Sequence, residues 1–522
     1  MKKVRIALSI ILFSLITFYF LDFADILPKR LHGLAQIQFI PALIALNIVV
    51  IIAILLVTFL FGRIYCSSLC PMGVFQDVAD WMAKRFNRKK KYPHFKENRI
   101  LRWSIVGVVI LSFLVGFQVM VSLLDPYSAY GRMVTNIFRP AYLGINNLIA
   151  LVSNHYNNFR FYPVDIFIAG VSSLIVASLT FLIIGFLSFK YGRLYCNTIC
   201  PVGTVLGFVA KYSLFKIKVG GENCNSCGLC EMKCKSSCID AKTKEIDYSR
   251  CVTCFNCVEV CKRDALSYQF NGFFPKKQAL PLAKETVTMD KVVEDLSKRK
   301  LILAFLGIAA FRKAFAGKDT TGKKIKEIFT SHNVAFKITH PITPPGSVDI
   351  KRFNDSCTAC QLCISKCPSQ VLQPAFLEYG IIGMMQPTMS YKHGFCNYHC
   401  TLCTEICPTK ALVAITQKEK KALQIGKVHF IKENCVVVTD GTNCGACSEH
   451  CPTQAVSMQP YKGDLSIPTI NFDLCIGCGG CEYICPVRPY RAIHVDGNPI
   501  HLVAKVVEEK AQKKVKVEDF GF

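Results

Sequence analysis

Long apolar runs alternate with polar segments over the first part of the chain. Four runs stand out, at residues 6–27, 39–61, 103–124 and 166–189. Each reaches the roughly 20 residues that a helix needs to cross a bilayer. A cleaved signal peptide is an alternative for the first run, but no small-residue cleavage site closes it. The pattern therefore predicts four membrane-spanning helices, the first of them an anchor.

Basic residues flank these runs unevenly. Lys and Arg crowd the N-terminus and the loop 84–102, whereas the longer loop 125–165 contains three Arg and no Lys. Short cytoplasmic loops carry the excess of positive charge in membrane proteins. We therefore expect the N-terminus, the loop 84–102 and the chain after the fourth run to lie in the cytoplasm.

The second and fourth runs are followed by the same short motif. GRIYCSSLCPMG begins at Gly62 and GRLYCNTICPVG begins at Gly192, so the helical unit consists of two parallel repeats. Such repeats relate through an axis along the membrane normal, which would bring the motif thiols together. These thiols are Cys66, Cys70, Cys196 and Cys200.

Three interpretations of the four motif thiols stay open. Four thiolates suit a further metal or iron–sulfur cluster. Helix N-termini lower the pKa of a thiol, which also suits a redox-active set. The third interpretation is that the motifs are structural turns at which Pro71 and Pro201 begin helices.

Composition adds a second kind of chemistry, because 29 of the 522 residues are cysteines. Disulfide scaffolds are typical of short secreted chains, and tight C-x2-C groups suit metal sites better. Two C-x2-C-x2-C-x3-C runs follow the fourth apolar run, and a zinc ribbon would leave their third cysteine without a role. In two-cluster bacterial ferredoxins the fourth cysteine of each run ligates the other cluster. The predicted [4Fe–4S] ligands are Cys224, Cys227, Cys230 and Cys261 for one cluster, and Cys251, Cys254, Cys257 and Cys234 for the second.

Two features of these runs depart from the usual pattern. Lys235 and Lys262 stand where proline usually follows the fourth cysteine, and Cys238 is left over. A buried structural thiol is the interpretation we give to Cys238.

Four more cysteine groups occupy the C-terminal third and predict four more [4Fe–4S] clusters, six in total. Their fourth cysteines are exchanged either between neighbours (first with second, third with fourth) or in a nested way (first with fourth, second with third). The third group is unusual in having eight residues between its first two cysteines. The predicted ligands are Cys357, Cys360, Cys363 and Cys367; Cys396, Cys400, Cys403 and Cys407; Cys435, Cys444, Cys447 and Cys451; and Cys475, Cys478, Cys481 and Cys485.

Several of these motifs resemble known families. With YCSSLCP, YCNTICP and CNSCGLCEMKC…CVTCFNCVEVC, the first 270 or so residues resemble NapH-type membrane iron–sulfur proteins, which are quinol dehydrogenase subunits. From about Pro341, PPGSVDIKRFNDSCTACQLCISKCPSQVLQPA and CIGCGGCEYICPVRPYRAI are similar to NapG/MauM-type ferredoxins. The resemblance implies a fusion of the two in a bacterial inner membrane. It also implies that electrons pass from menaquinol or ubiquinol to a periplasmic acceptor.

The join between the two halves bears on the side of the membrane that the second half occupies. SKRKLILAFLGIAAFRKAFAGKD, from Ser297, resembles the twin-arginine export signal with which separate NapG-type proteins begin, although Lys298 replaces the first arginine. We expect a fifth crossing at 301–316 that delivers the C-terminal domain to the periplasm. The alternative is a linker helix lying on the membrane, with both ferredoxin parts in the cytoplasm.

The predicted fold is thus a membrane α-helical unit followed by α+β ferredoxin-like domains. We expect a four-span unit at 1–215, a two-cluster ferredoxin domain at 216–275 and a linker at 276–340. A four-cluster polyferredoxin domain at 341–505 and a charged tail at 506–522 complete the chain.

The expected function is electron transfer from the quinol pool to a cytochrome or reductase partner, as in anaerobic respiration. Delivery of electrons to a client metalloenzyme during its assembly, and flow from a ferredoxin to quinone, are the alternatives. Because quinol oxidation releases protons, Asp125, Tyr127, Arg132 and His155 are candidates for the quinol site, with Asp22 and Asp25 as similar ones. The net charge of +26 suits anionic lipid and acidic redox partners, and no nucleic-acid motif is present.

Overall fold

Helices fill the first part of the chain in the computed structural model, which describes residues 1–23, 26–28, 31, 33–86, 92, 97–157, 159–168, 170–220, 223–272 and 333–505. The helical bundle, defined as residues 1–213, contains α1 (Lys2–Leu21), α2 (Gly33–Gln36), α3 (Phe39–Ile44), α4 (Ile48–Phe61), α5 (Ile64–Ser68), α6 (Pro71–Phe86), α7 (Arg99–Leu114), α8 (Gln118–Leu124), α9 (Pro126–Met133), a π-helix (Val134–Phe138), α10 (Arg139–His155), α11 (Val171–Tyr191), α12 (Leu194–Thr198) and α13 (Pro201–Ala210). The predicted apolar helix at 301–316 and the tail at 506–522 lie outside the described residues.

Two of the four predicted spans form one long helix each. Within the described residues, α1 and α11 are the helices that are both long and apolar enough to cross a membrane. Much of their apolar surface is exposed on the outside of the bundle, for example at Ile10, Leu179 and Phe186. Such an unbroken apolar surface fits contact with lipid rather than water.

The other two predicted spans are each divided in two, which corrects the expectation of one helix per run. In the run 39–61, Leu46 takes a φ of 52° between α3 and α4, and Asn47 caps the new helix by accepting from the Val50 amide. In the run 103–124, Gly116 takes a φ of 79° between α7 and α8. The left-handed conformation ends a helix, and hydropathy does not reveal it.

The segment 125–165, which the sequence suggested as a connecting loop, is largely helical. It contains α9, the π-helix and α10, a 17-residue helix with exposed apolar side chains that include Leu148 and Leu151. The helix α9 begins at Pro126, and Asp125 caps it through the Tyr127 and Ser128 amides. An Asp-Pro pair is a helix start here rather than a turn.

A small α+β domain follows, which we call the first ferredoxin module (residues 214–272). Its main sheet is an antiparallel pair in which Phe215 lies opposite Phe270. Its elements are β1 (Phe215–Val219), α14 (Leu229–Met232), β2 (Ile239–Asp240), β3 (Glu245–Ile246), α15 (Asn256–Val260) and β4 (Leu266–Phe270).

The second α+β domain, which we call the polyferredoxin module (residues 335–505), is built from short helices and three antiparallel strand pairs: β5 with β6, β7 with β10, and β8 with β9. The pairing of β7 with β10 shifts register between Gly497 and Leu502. The elements are α16 (Ile350–Ser356), α17 (Leu362–Lys366), β5 (Leu372–Pro374), β6 (Pro387–Met389), α18 (Leu402–Glu405), α19 (Gln417–Ala422), β7 (Leu423–Phe430), a 3₁₀ helix (Lys432–Asn434), α20 (Val436–Thr439), α21 (Ala446–Glu449), β8 (Val456–Pro460), β9 (Ser466–Ile470), α22 (Gly480–Ile484) and β10 (Ile493–Val503).

The two modules contact opposite ends of the same helices. At the start of α1, Lys2 pairs with Glu259 of the first module, and just after its end Asp22 pairs with Lys366 of the polyferredoxin module at 2.9 Å. An α-helix of 20 residues is about 30 Å long. We call the end of the bundle near Lys2 the proximal end and the end near Asp22 the distal end.

Helix α11 shows the same arrangement. Near its start, Ser173 accepts a hydrogen bond from Gln361 of the polyferredoxin module at 2.7 Å. Just beyond its end, the Arg193 amide donates to the carbonyl of Lys235 in the first module at 2.9 Å. Both long helices therefore carry the first module at the proximal end and the polyferredoxin module at the distal end.

A partly buried carboxylate, 18% exposed, holds the proximal end together. Asp77, on α6, accepts hydrogen bonds from Arg193 at 2.8 Å and Lys235 at 2.5 Å, and it lies 3.5 Å from Arg5 of α1. Burial alone would raise the pKa of Asp77, but the charges of Arg193 and Lys235 bring that pKa well below its usual range. The carboxylate therefore stays ionised and joins α1, the second repeat and the first module.

Candidate iron–sulfur centres

The first ferredoxin module contains the exchanged pair of thiol sets that the spacing predicts. Cys261, from the second run, lines one cavity of about 200 Å³ together with the first three cysteines of the first run. Ser226 and Gly228 take left-handed backbone angles in the loop between them, which lets the chain curl around the cavity. The complete thiol set of this cavity is Cys224, Cys227, Cys230 and Cys261.

A second, smaller cavity in the same module is lined by five thiols. Four are the predicted ligands, and the fifth is Cys238, whose Sγ lies 3.5 Å from that of Cys234. The other lining side chains are mostly apolar, among them Ile217 and Val252. The predicted set in this cavity is Cys234, Cys251, Cys254 and Cys257.

Both cavities fit a [4Fe–4S] cluster by the chemistry of their donors. Cys₄ ligation is what this cluster takes in ferredoxins. The second set is the more deeply buried of the two, since Cys234, Cys254 and Cys257 are buried whereas Cys227 of the first set is exposed. Within the described part of the chain, no three His, Cys, Asp or Glu side chains are arranged to hold a single metal ion.

In the polyferredoxin module, the fourth cysteine of each of the first two groups lies beside the thiols of the other group. Burial, followed by the charge of Cys407, raises the pKa of Cys360 to about 12. Burial also raises the pKa of Cys403, and the charges of Cys396, Cys367 and Cys400 raise it further. Each tight loop therefore has the last cysteine of its neighbour beside it.

The third and fourth groups show the same arrangement, in which the fourth cysteine of one group lies beside the thiols of the other. Cys485 lines one cavity with Cys435, Cys444 and Cys447, and burial and these thiols raise the pKa of Cys447 to about 12. Conversely, burial and then Cys451 raise the pKa of Cys475. Of the two arrangements that the sequence left open, the placement of these thiols favours neighbour exchange.

The four motif thiols of the bundle lie together in its core. Cys66, Cys70, Cys196 and Cys200 are between 3 and 5% exposed and belong to one apolar cluster. Burial raises the pKa of Cys196 to about 11, and Arg193 and Arg63 are the charges that lower it.

Two arginines tie the repeats together reciprocally. Arg193 of the second repeat donates to the Cys66 carbonyl at 2.7 Å, and Arg63 of the first repeat donates to the Cys196 carbonyl at 3.4 Å. The residue before each arginine is a glycine with a positive φ, 81° at Gly62 and 71° at Gly192, and a Cβ on Gly192 would also lie 2.5 Å from the Lys235 carbonyl oxygen. The motif of the second repeat therefore also contacts the first ferredoxin module and helps to position it.

The same core contains one cysteine from each ferredoxin module. Cys254 of the first module and Cys360 of the polyferredoxin module both belong to the apolar cluster that includes the motif thiols. Val252 and Leu362, on the same two loops, are 1% and 0% exposed within it. Thiols from the proximal module, the bundle and the distal module are thus connected by continuous packing.

Three of the sequence candidates for a quinol site lie in this core, where they make structural contacts. The carboxylate of Asp125 is used by the N-cap of α9 and by the Ser128 hydroxyl at 2.6 Å. Arg132 donates to the carbonyls of Ser122 at 2.8 Å and Ala359 at 3.3 Å. The Tyr127 hydroxyl is buried without a hydrogen-bond partner.

The other candidates are elsewhere. His155 is exposed at the end of α10, with its ring against Tyr156. Asp22 caps the chain after α1 through the Ile26 and Leu27 amides and pairs with Lys366. Asp25 lies outside the described residues.

Sequence reasoning missed a cavity of about 20 Å³ between the π-helix and the polyferredoxin module. Thr135 and Arg139 line it, and the Thr135 hydroxyl and the Arg139 Nε are buried without a hydrogen-bond partner. No motif marks these residues, and a π-helix has no sequence signature, although it often accompanies functional sites. The lining consists of Thr135, Asn136, Arg139, Pro140, Phe167, Ile168, Ile364, Gln370 and Leu372.

Comparison with known families agrees with the thiol geometry. A family model described as a 4Fe-4S binding domain matches residues 43–90 and 173–221, the two repeats of the bundle. A second model, described as a 4Fe-4S dicluster domain, matches residues 442–488. No solved structure matches the chain.

Curated relatives cover different parts of the chain. The ferredoxin-type protein NapF of Escherichia coli is 27% identical over 156 residues, which are 30% of this chain and 87% of NapF. The ferredoxin-type protein MauM of Methylobacillus flagellatus is 30% identical over 28% of this chain and 63% of its own length. The putative electron transport protein YccM of Escherichia coli is 26% identical over 48% of this chain and 63% of its own length. The chain is thus an iron–sulfur electron-transfer protein with ferredoxin-type 4Fe-4S domains.

Neighbour exchange makes a prediction about iron content. Replacing Cys357 or Cys407 by Ala should remove the same cluster, so the double variant should lose about four irons, as each single variant does. Replacing Cys357 and Cys367 together should instead remove two clusters and about eight irons. Iron and acid-labile sulfide analysis of the anaerobically purified chain measures this. Equal losses in the two double variants would contradict the exchange.

Proposed function

We propose that this chain is a membrane-bound quinol-oxidising subunit that relays electrons between a ferredoxin module on each side of the bilayer. The observation that carries the proposal is the shared core in which Cys254 and Cys360, from modules at opposite ends of the bundle, pack with the four motif thiols. A respiratory reductase or a cytochrome is the partner that we propose as the acceptor.

The membrane position is supported by length, surface and charge together. The bilayer core is about 30 Å thick, which matches the length of α1. The basic N-terminus and Arg102, which donates to Ser249 of the first module, lie at the proximal end, so the positive-inside rule favours a cytoplasmic proximal end and a periplasmic distal end. The polyferredoxin module would then be the exported one.

The motif thiols are proposed to hold a further [4Fe–4S] cluster. Their burial together, the two arginines that face them and the 4Fe-4S family model that matches both repeats support this assignment. A bound cluster supplies a carrier of single electrons. The chain's own contribution is to exclude water and to keep these thiols packed between the two modules.

The quinol headgroup is proposed to bind at the mouth of the cavity beside the π-helix, because a cavity of about 20 Å³ admits one quinol oxygen and not the ring. The Thr135 hydroxyl and the Arg139 Nε, which are buried without a hydrogen-bond partner, would donate hydrogen bonds to that oxygen. Cys367, a predicted ligand, lies within electrostatic reach of Arg139, so the cavity is next to a cluster. Phe167 lines the cavity, and the centroid of its ring lies 4.8 Å from that of the exposed His393 ring.

The sidedness of the modules is tested with epitope insertions. One tag is placed at the exposed turn near Gly463 in the polyferredoxin module, and one at the exposed turn near Lys242 in the first module. We expect an antibody to reach the Gly463 tag on intact spheroplasts, and the Lys242 tag only after permeabilisation. Detection of both tags only after permeabilisation would leave both modules in the cytoplasm and end the proposal of transfer across the membrane.

The role of the motif thiols is tested by vectorial reduction. When dithionite, which does not cross membranes, is added outside right-side-out vesicles, we expect the clusters of both modules to be reduced. In Cys70→Ser vesicles the first module should stay oxidised, and iron should fall by about four atoms. Ser68→Ala, in the same motif, is the control and should behave like the parent. Full reduction of the first module in Cys70→Ser would contradict the relay.

The quinol cavity is tested with Arg139→Ala. The loss of one charge-assisted hydrogen bond, worth about 1.5–3 kcal/mol, should lower kcat/KM for menaquinol about 10- to 100-fold without loss of iron. Arg160→Ala, in the exposed part of the same segment, should leave the rate unchanged. If Asp125→Asn slows quinol oxidation in iron-complete protein while Arg139→Ala does not, the site lies at Asp125. Clusters that quinone oxidises but quinol cannot reduce would instead indicate reverse flow.

A further inference from the structure

Cys238 is a fifth thiol in a cavity whose other four thiols already complete a cluster site. It is 3% exposed, and its sulfur lies 3.5 Å from the Cys234 sulfur. A cubic cluster takes four cysteine ligands, so one of the five thiols has another role. Cys234 and the three cysteines from Cys251 onwards have the spacing of a complete ferredoxin ligand set, so Cys238 is the thiol that the cluster does not need.

The other cysteine runs show what this position needs for packing alone. Cys238 is the fourth residue after the last cysteine of its run. In four other runs the corresponding residue is a buried aliphatic one, either Ala or Val. These residues are Ala265, Val371, Ala411 and Ala455. The fold therefore does not require a thiol here, and burial in the core does not account for Cys238.

A protonated thiol beside a ligating thiolate is a hydrogen-bond donor. Cysteine S–H is a weak donor, and hydrogen bonds to cluster sulfurs are among the factors that set the reduction potential. Such a bond stabilises the reduced cluster more than the oxidised one, because the reduced cluster places more negative charge on its sulfurs. The potential of the cluster therefore rises.

We propose that the Cys238 thiol donates a hydrogen bond to the ligating sulfur of Cys234 and thereby raises the potential of this cluster above that of its neighbour. The neighbouring site has Ala265 at the matching position and lacks this donor. This cluster is also the one nearest the bundle, since Cys254 lies in the core shared with the motif thiols. An electron on the first module would then reside mainly on this cluster, which is the one beside the bundle.

The inference rests on the iron–sulfur part of the proposed function and on nothing concerning quinol or the membrane. It is therefore tested on the full chain purified anaerobically in detergent, by a dye-mediated redox titration followed by EPR. Cys238→Ala should keep all its iron and shift one cluster to a more negative potential. Cys238→Ser, which retains a donor, should shift it less.

The matched control is a variant that should raise the potential of the neighbouring cluster. Ala265→Cys places a thiol at the corresponding position of the neighbouring site, and one further cluster should then move to a more positive potential. An unchanged potential in Cys238→Ala would overturn the proposal. So would a loss of about four irons in that variant, because Cys238 would then be a ligand. Failure of the quinol or sidedness experiments leaves these titrations unaffected.

Discussion

The carboxylate of Asp77 is the interaction on which the proximal half of the molecule depends. A charge withdrawn from water is costly unless it is paired and hydrogen-bonded, and Asp77, which is partly buried, is paired with both Arg193 and Lys235. One residue comes from the second repeat and the other from the first ferredoxin module. The position of that module is therefore linked to the closing of the two repeats upon each other. If Arg193 or Lys235 were removed, the carboxylate of Asp77 would be incompletely paired.

The packing of the two repeats against each other also determines the arrangement of the motif thiols. With the repeats closed, Arg63 and Arg193 each reach the carbonyl of the other repeat's first motif cysteine. Each arginine thereby donates a hydrogen bond to the backbone of the other repeat. Neither motif can make its full set of contacts without the other. The thiols are buried by the same step, and Cys254 and Cys360 pack against this core from the two modules. Two cluster-bearing modules and a central thiol group become one continuous body because apolar packing leaves little room for water between them.

The parts that could be predicted from the sequence are those fixed by short covalent spacing. In the first module, C-x2-C-x2-C-x3-C brought Cys261 to the other run as expected, because the loop and the following helical turn set the direction of each thiol. Neighbour or nested exchange in the polyferredoxin module depends on long-range packing, and spacing could not decide it. Leu46 and Gly116 interrupt apolar runs through their backbone conformation, to which hydropathy is blind. Asp125 seemed a catalytic candidate because it is a charge in an apolar region, whereas its oxygens are used by a helix cap.

The departures from the ferredoxin pattern carry more information than the pattern itself. Lys235 and Lys262 both replace the usual proline, but Lys262 is exposed, whereas Lys235 reaches Asp77 in the bundle. Three residues after Lys235, Cys238 replaces the aliphatic residue of the sister runs and contacts a ligand of the cluster nearest the bundle. Both changes fall in the stretch that joins that cluster to the helices, one facing the helices and one facing the thiols. The stretch from Cys234 to Cys238 therefore connects this cysteine site to the bundle through an ion pair, and it places an additional thiol against the site itself.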